Sequence, residues 1–485
     1  MINKHLLHAI LRQNFKSFVI KVFNEVSPSD HYLDNWHIDV ICQAITEMIS
    51  HKNNRLIVNI PPRYMKSIIC SVALPAYLLG LDPKTNIICV SYSDDLASKF
   101  ANDCRKVIQT AWYNELFPET KLSNYRKAIN DFETSVGGGR MATSIGGTLT
   151  GRGADWIIID DPLKPSEAMS DSQREKVNDW YGSTLYSRLN DKVRGKILLI
   201  MQRLHQNDLT GYLLESKADF QHIKLPVIAE HDEEWLLNNH ISGKQRAIFR
   251  AKGELLHPQR ENMDVISDLR KNLGEYGFAG QYQQRPTPLE GGLIKNSWLH
   301  FYNHLPDKLT HIVLSWDTAA KTGEHNAYSA CVVLGVDANK QIYMLDCFRD
   351  RLEFPRLVQK MSQMHEQMRQ KYVGAKIETL IEDASSGTQA IQQLRMSNPK
   401  FKIVPIRAVQ DKISRLVGVS SYIENGTCLF PAVAGYWWQD FKNELLLFPN
   451  STFKDQCDAL SQGLEYATTA LLKSSQFYWR CVGCW

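Results

Sequence analysis

The segment that ends in Lys66-Ser67 has the residue types that bind nucleotide phosphates. The apolar run LIVNI leads into the loop PPRYMKS, and a second apolar run follows. In a phosphate-binding loop, backbone N–H groups surround the phosphates, a lysine reaches the β and γ oxygens, and a hydroxyl coordinates Mg²⁺. Lys66 and Ser67 fit the last two roles, but Met65 and Ile60 stand where glycine is usual. A plain strand-to-helix turn is the alternative for this segment alone.

Two further strand ends carry polar groups suited to ATP hydrolysis. The run WIIIDDP ends in Asp160 and Asp161, of which the first would hold Mg²⁺ and the second would polarise the attacking water. The run ILLIM leads to Gln202 and Arg203. Ligands bind at the carboxyl edge of open α/β sheets. A solvated strand end is the alternative for each segment, but three such ends in order favour an ATPase.

Two arginines are candidates for contact with the γ-phosphate. Arg63 lies within the loop, and Arg152 lies in the glycine-rich segment GGTLTGRGAD before the Asp160 strand. An arginine finger approaches the phosphate from a flexible or neighbouring element, which is the setting of Arg152. A turn with a solvated arginine is the other interpretation, and the sequence leaves the choice between the two arginines open.

A second set of acidic residues lies in the carboxyl-terminal part. Asp317 follows a strand, Glu382 and Asp383 end another, and Asp455 and Asp458 share one face of a helix start. If they converge, such carboxylates bind two divalent ions about 3.5–4 Å apart, as in phosphodiester hydrolysis. Oxygen ligands favour Mg²⁺ or Mn²⁺. Because Glu382 and Asp383 point to opposite strand faces, at most one of them is expected to be an inward ligand. Turn and helix-start roles are the alternatives.

The elements that must position these residues follow two patterns. In the first half, repeated strand–helix units predict a parallel sheet with helices on both faces. Strands are predicted over 56–60, 86–92, 156–159 and 196–201, and helices over 95–109 and 170–189. A polar stretch from about 229 to 292 is the candidate hinge. A mixed α/β sheet is predicted beyond it, with strands over 312–316, 330–336, 341–347 and 379–382 and a helix over 355–371.

Composition sets limits on the class of protein. The 485 residues favour two or three domains, and a net charge of +4 neither demonstrates nor excludes a nucleic-acid partner. No apolar run is long enough to span a membrane. The dispersed cysteines are typical of buried thiols in a reducing cytoplasm. Cys481 and Cys484 form a lone CxxC, which is weak evidence for zinc and favours an inert tail.

In this order, the two sets of motifs resemble the large terminase subunit of tailed bacteriophages and prophages. The resemblance runs from about Tyr32 to Ala467 and is carried by the Asp317 strand and by YLDNWHIDVICQAI, IVNIPPRYMKS, ICVSYSDDLASKFANDC, LTGRGADWIIIDDPLK, LLIMQRLHQNDLTGYLL, FAGQYQQRPTPLEGGLIK, IEDASSG and KDQCDALSQ. It implies a P-loop (ASCE-type) packaging ATPase joined to an RNase H-like nuclease. The expected domains are an ATPase over 1–228, a linker over 229–300, a nuclease over 301–470 and a tail over 471–485.

The resemblance also implies roles for individual residues. In the ATP site these are adenine contacts at Trp36 and His37, Walker A residues Lys66 and Ser67, the Mg²⁺ ligand Asp160, the water-activating Asp161, and the coupling residues Gln202 and Arg203. In the nuclease they are Asp317, Glu382 and Asp455, with Asp458 as a fourth ligand. Glu382 is preferred to Asp383 because an apolar residue and a glutamate precede the Ser/Gly turn. Met65 is the departure from the usual loop and is interpreted as a variant of it.

The expected cofactors are ATP with Mg²⁺, and two Mg²⁺ or Mn²⁺ ions for the nuclease. The expected partners are double-stranded DNA, a portal protein on the procapsid, a small terminase subunit, and further copies forming a ring, a pentamer when docked. The resemblance places the protein in the bacterial host cytoplasm, with no membrane partner and no place in the mature virion. The alternatives are a helicase-like or repair ATPase without nuclease activity, and a degenerate prophage DNA-binding protein.

Overall fold

The computed structural model describes residues 4–149, 151–238, 245–286, 292–318, 328–384, 386–407 and 410–471. The chain divides into two compact units, Met1–Pro288 and Leu289–Trp485. The division falls within the range 229–300 that the sequence indicated as a linker. Cys481 and Cys484, with the rest of the predicted tail from residue 472 onward, lie outside the described residues. Among the described helices, none combines the length and apolar character needed to cross a membrane.

Unit 1 is a doubly wound α/β structure. Its helices are α1 (Lys4–Gln13), α2 (Phe15–Val26), α3 (Trp36–Ile49), α4 (Leu74–Leu81), α5 (Asp94–Gln109), α6 (Ala111–Leu116), α7 (Asp171–Trp180), α8 (Leu209–Glu215) and α9 (Met263–Gln281). Its strands are β1 (Arg55–Asn59), β2 (Asn86–Ser91), β3 (Leu122–Ala128), β4 (Asp131–Thr134), β5 (Gly139–Ser144), β6 (Trp156–Asp160), β7 (Lys196–Met201), β8 (Gln221–Lys224), β9 (Glu233–Asn238) and β10 (Gln245–Arg250).

The main sheet of unit 1 has the order β3-β4-β5-β2-β6-β7-β1-β8. The strands from β5 to β8 in this order are parallel, and β3, β4 and β5 pair antiparallel. The four predicted strands are therefore confirmed as β1, β2, β6 and β7. Along β1, Leu56 and Val58 face one apolar core and Ile57 faces the other. Both faces are thus covered, which explains why these strands are almost wholly apolar.

Two parts of unit 1 differ from the sequence-based expectation. The helix predicted over 170–189 ends at Trp180 and continues as a π-helical segment, Tyr181–Leu185, and a 3₁₀ turn, Tyr186–Arg188. The polar range after Ala229 contains the antiparallel pair β9–β10 and the long helix α9. Much of the predicted linker is therefore regular structure of unit 1.

Unit 2 is built on one mixed sheet. Its strands are β11 (His300–Tyr302), β12 (His311–Asp317), β13 (Ser329–Val336), β14 (Ile342–Asp350), β15 (Lys376–Glu382), β16 (Lys402–Ile406) and β17 (Cys428–Pro431). Its helices are α10 (Phe354–Lys371), α11 (Ser386–Ser397), α12 (Lys412–Glu424), α13 (Trp438–Leu447) and α14 (Asp455–Tyr466).

The strand order β11-β17-β14-β13-β12-β15-β16 places β12 at the change from antiparallel to parallel pairing. β12 pairs antiparallel with β13 and parallel with β15. Val313 packs in one apolar core, whereas Ile312 and Leu314 pack in the core on the other face. The predicted mixed α/β sheet is confirmed, and the parallel pairing brings the carboxyl ends of β12 and β15 to one edge.

Candidate active sites

The loop after β1 brings Lys66 to the end of β6. The Lys66 ammonium lies 2.5 Å from Asp161 Oδ2, and the lysine is only 6% exposed. Ile200 of β7 pairs with Asp160, and Met201 pairs with Asn59 of β1, so the three strands end at the same edge. The structure thus places the lysine and both strand-end carboxylates of the predicted nucleotide site together.

Asp160 is buried at the end of β6, and its two carboxylate oxygens have different surroundings. Ser71, in the π-helical segment Ile68–Ala73, donates its hydroxyl to Asp160 Oδ2 at 2.8 Å. Among the described residues, Asp160 Oδ1 has no hydrogen-bond partner. Burial and the neighbouring charge of Asp161 raise the pKa of Asp160 to about 6, against the opposing charge of Lys66. A buried, unsatisfied carboxylate oxygen fits the ligand chemistry of Mg²⁺.

The loop after β1 uses backbone conformations that usually require glycine. Arg63 and Met65 have φ values of +70° and +67°. The buried Tyr64 between them anchors the loop, because its hydroxyl donates to Glu261 Oε2 at 2.8 Å and its ring packs against His37 at 5.5 Å between centroids. The absence of glycine in the sequence therefore does not prevent a left-handed turn before Lys66.

Met65 gives a test of this strained conformation. In the left-handed region a β-branched side chain is a steric outlier, so we expect Met65→Ile to lower the free energy of unfolding of unit 1 by about 1–2 kcal/mol. Met65→Gly relieves the strain but increases backbone entropy in the unfolded chain, so its effect should stay within about 1 kcal/mol. Urea unfolding of both variants checks this. An isoleucine variant as stable as the wild type would contradict the observed loop conformation.

The two arginine candidates lie in different places. Arg63 is exposed in the loop beside Lys66. Arg152 forms an ion pair with Asp131. Three residues later in the chain, Asp155 accepts a hydrogen bond at 2.8 Å from the backbone amide of Asn86, the first residue of β2. Arg152 therefore lies at the amino-terminal edge of the parallel strands. Within this chain, the structure does not bring Arg152 to the Lys66 site.

Gln202 is at the site, whereas Arg203 is turned away from it. The backbone amide of Gln202 donates a hydrogen bond to Asp161 Oδ1 at 3.1 Å. Its side chain is buried, and Oε1 has no hydrogen-bond partner among the described residues. The Arg203 guanidinium instead donates from Nε to Asp208 Oδ1 at 2.9 Å, where Asp208 caps α8. Gln202 is thus the member of this pair that can respond to the state of Asp161.

Trp36 and His37 begin α3 but face different neighbours. His37 packs against Tyr64, and burial together with His257 lowers its pKa to about 3. Asn35 Nδ2 lies 2.5 Å from His37 Nδ1, while His37 Nε2 has no hydrogen-bond partner among the described residues. Trp36 packs against Trp235 of β9. His37 is therefore a neutral, polar group next to the loop, and Trp36 contacts the β9–β10 hairpin.

Three carboxylates meet in unit 2, and we call them the carboxylate centre: Asp317, Glu382 and Asp458. One oxygen from each lies within 4.8 Å of the others, a spacing that could hold a metal ion. Asp317 ends β12, Glu382 ends β15, and Asp458 lies in the first turn of α14. The sequence placed Asp455 ahead of Asp458 as a ligand, but the structure brings Asp458 into this group.

Of the two adjacent acidic residues that end β15, only Glu382 reaches the carboxylate centre. Asp383 is exposed and accepts a hydrogen bond from the Thr388 hydroxyl at 2.9 Å. This is the outcome expected for neighbours on opposite faces of a strand.

Two cations from α12 contact the carboxylate centre, and the sequence analysis did not identify them. Lys412 Nζ lies 3.0 Å from Asp317 Oδ2, 2.9 Å from Asp458 Oδ2 and 3.6 Å from Asp455 Oδ1. Arg415 lies 3.2 Å from Glu382 Oε2 and 2.7 Å from Asp458 Oδ1. The available signal was the Lys-x-x-Arg spacing, which places both side chains on one helix face after Asp411.

Burial and neighbouring charges shift the pKa values of the acidic and basic side chains around the carboxylate centre. Burial, with the repulsion of Asp458 and Asp455, raises the pKa of Asp317 to about 7, although Lys412 opposes the shift. Burial also raises the pKa of Asp455. Burial disfavours the charge on Lys412, but Asp317 and Asp458 outweigh it and raise the pKa of Lys412. Lys412 is therefore positively charged, and a nearby positive charge favours the ionised form of Asp317.

Glu444 of α13 holds the start of α14. Its Oε1 accepts hydrogen bonds from the backbone amides of Gln456 and Cys457 at 2.8 and 3.0 Å. Its Oε2 forms an ion pair with Arg349 at 2.9 Å. A buried carboxylate at a helix N-terminus satisfies amides that lack partners within the helix. Glu444 thereby fixes the turn that presents Asp458.

We expect Glu444→Ala to destabilise unit 2 by about 3–5 kcal/mol, because it removes the shorter of the two ion pairs of a half-buried arginine and leaves two buried amides unpaired. Urea unfolding of the full chain measures the change. Glu465→Ala is the matched control, since Glu465 is exposed on α14, the helix whose start Glu444 holds, and should change stability by less than about 0.5 kcal/mol. Equal, small effects of the two variants would show that Glu444 does not anchor α14.

The comparisons with known proteins agree with this geometry. The family description "terminase RNaseH-like domain" matches residues 314–467, the part of the chain that contains the carboxylate centre. The large terminase of a thermophilic bacteriophage, solved in complex with ADP, has a similar structure, with a TM-score of 0.51 and 9% sequence identity over 95% of this chain and 99% of that chain.

A second crystal form of the same thermophilic phage terminase gives a TM-score of 0.52 at 9% identity, covering 87% of this chain and 95% of that chain. The comparison with curated proteins found no match. At such low identity the structural likeness establishes the fold, and the family match covers most of the second unit. Residues 314–467 therefore form a terminase RNaseH-like domain, and the chain as a whole has the fold of a bacteriophage large terminase subunit.

Proposed function

We propose that this chain is a DNA-packaging enzyme of a tailed bacteriophage or prophage, which uses ATP hydrolysis to move double-stranded DNA and cuts that DNA with a metal-dependent nuclease. The observation that carries the proposal is the presence of two chemically different sites in one chain. Lys66 meets the paired aspartates in unit 1, and three carboxylates converge in the terminase RNaseH-like domain of unit 2. An ATPase without nuclease activity does not require the second site.

In unit 1, Lys66 is poised to exchange partners. In the structure its ammonium neutralises Asp161. When ATP binds, Lys66 contacts the phosphate oxygens, and Asp161 becomes free to orient and polarise the attacking water. Asp160 would hold Mg²⁺ through its unsatisfied Oδ1, and the ion supplies charge stabilisation at the phosphates. The thermophilic phage terminase has been solved with ADP and with ATP-gamma-S, which supports ATP as the nucleotide.

The remaining residues around the nucleotide site receive proposed roles from their positions. Gln202 contacts Asp161 through its backbone amide, so it can couple a change in the partners of that carboxylate to strand β7. His37, next to the loop, would offer to a base its Nε2, which has no hydrogen-bond partner among the described residues. Arg63 is the candidate arginine from the same chain. Arg152, at the other edge of the sheet, could act on a neighbouring copy in a ring, as arginine fingers supplied in trans do.

In unit 2, Asp317, Glu382 and Asp458 would bind divalent metal, of which Mg²⁺ and Mn²⁺ suit an all-oxygen ligand set. The bound metal lowers the pKa of water and stabilises charge on the phosphate during cleavage. The carboxylates position this chemistry at the end of β12 and β15. We further propose a portal protein, a small terminase subunit and a ring of copies as packaging partners in the host cytoplasm.

The test is to measure two activities of the purified full chain. We expect double-stranded DNA to stimulate ATP hydrolysis, and we expect cutting of supercoiled plasmid with Mg²⁺ or Mn²⁺ that EDTA abolishes. Because DNA contacts are mainly to phosphates, both DNA-dependent activities should weaken as salt increases. ATP hydrolysis without cutting would favour the helicase-like alternative, and loss of both activities in a folded protein would favour a degenerate prophage protein.

A further inference from the structure

The ammonium group of Lys412 occupies the space between carboxylates that a divalent ion would otherwise share. It lies 3.0 Å from Asp317, 2.9 Å from Asp458 and 3.6 Å from Asp455. These are distances for charge-assisted hydrogen bonds and a close ion pair. Asp455 therefore faces Lys412, while it stays outside the three-residue group that could share one metal ion.

Lys412 is built into this position by the start of α12. Asp411 caps the helix, accepting the amides of Ile413 and Ser414 at 3.0 and 3.1 Å and the Ser414 hydroxyl at 2.6 Å. The backbone on either side of Lys412 is thus fixed. Three residues later, Arg415 is buried and contacts both Glu382 and Asp458. Both cations belong to one helix face and contact the carboxylates directly.

The fixed charges limit how many divalent ions the region can hold. The four acidic side chains, when ionised, face two basic side chains, which leaves two negative charges (Asp317, Glu382, Asp455 and Asp458, with Lys412 and Arg415). One divalent ion neutralises that remainder. A second would leave an excess of two positive charges close to Lys412, in a partly buried site where repulsion is poorly screened.

We propose that Lys412 takes the place of a second divalent ion, so that the carboxylate centre binds one ion through Asp317, Glu382 and Asp458. This inference rests on the proposed nuclease function and replaces the two-ion expectation from the sequence. Lys412 acts as the second positive charge for Asp455 and Asp458. Its side chain is 40% exposed, so part of it lies open to solvent.

Counting bound Mn²⁺ tests the proposal without measuring cleavage. Mn²⁺ binding to the full chain is followed by electron paramagnetic resonance and by calorimetry, in the wild type and in Lys412→Met. Each protein is paired with its Asp317→Asn derivative, so that the difference counts only ions at the carboxylate centre. Lys412→Gln is a second substitution, and thermal unfolding verifies that each variant is folded. Lys402→Met is the matched control, since Lys402 pairs with Glu378 elsewhere on the sheet.

We expect a difference of one ion for the wild type and for Lys402→Met, and of two ions for Lys412→Met and Lys412→Gln. The first ion should also bind about tenfold more tightly when the cation is removed. Two ions in the wild type, or one ion with unchanged affinity in both Lys412 variants, would overturn the proposal. If Asp317→Asn changes no Mn²⁺ binding in any background, the proposed nuclease centre itself fails, which separates that result from an incorrect ion count.

Discussion

Lys66→Ala should reduce DNA-stimulated ATP hydrolysis by about 10²–10³-fold, the effect of removing one preorganised charge-stabilising group from a transition state. The Lys66 ammonium is buried at the strand ends, 2.5 Å from Asp161. Its removal eliminates the contact to the phosphate oxygens and leaves Asp160 and Asp161 adjacent without their cation. Since Asp161 already raises the pKa of Asp160 and Lys66 opposes that shift, the variant should also bind Mg²⁺-ATP more weakly.

Phosphate release with saturating DNA measures turnover, and a fluorescent ATP analogue measures binding. The matched control is Lys106→Ala, which removes an exposed lysine that pairs with Asp103 on α5 of the same unit. The control should hydrolyse ATP at the wild-type rate. Plasmid cutting in the absence of ATP should survive both changes because it depends on unit 2. Wild-type turnover in Lys66→Ala would mean that the loop after β1 is a structural turn.

The main architecture could be predicted because its strands have a strong sequence signal. β1, β2, β6 and β7 are buried on both faces, so each is a nearly continuous apolar run bounded by polar residues. The polar residues that follow these runs necessarily gather at one edge of a parallel sheet. Lys66, Asp160, Asp161 and Gln202 could therefore be assigned to one site without knowledge of any contact.

The exposed strands gave no comparable signal. β3 is exposed along most of its length, and β9 and β10 form a largely exposed antiparallel pair. Such strands alternate weakly or not at all between apolar and polar residues, so their pattern is typical of a loop. The linker predicted over 229–300 therefore included residues that are regular structure.

The carboxylate centre was predicted in part, because local sequence does not fix rotation about a helix axis. Asp455 and Asp458 lie on one face of α14, and the choice between them depends on how Glu444 anchors the helix start. Lys412 reaches Asp317 across 95 positions of sequence, and Arg415 reaches Asp458 across 43. Pairings over such distances depend on the order of strands in the sheet, which a single sequence did not reveal.

Asp317→Asn should reduce metal-dependent plasmid cutting by about 10²–10³-fold or more, since metal-ion catalysis contributes several kcal/mol of transition-state stabilisation. The amide keeps the size of the side chain but removes one anionic ligand of the carboxylate centre and one partner of Lys412. ATP hydrolysis in unit 1 should be unchanged. Asp383→Asn is the matched control because Asp383 also follows a strand of this sheet but points away from the centre.

The stability of Asp317→Asn distinguishes lost chemistry from lost structure. Burial raises the pKa of Asp317 to about 7 from 3.8, so folding favours its protonated form. That contribution to stability is present below pH 3.8 and is lost as the pH rises through about 7. At pH 8 the neutral asparagine avoids the burial cost of the charge, so the melting temperature should not fall. A variant that unfolds earlier would make its loss of cutting uninformative, and one that stays folded and still cuts would place the nuclease chemistry outside these three carboxylates.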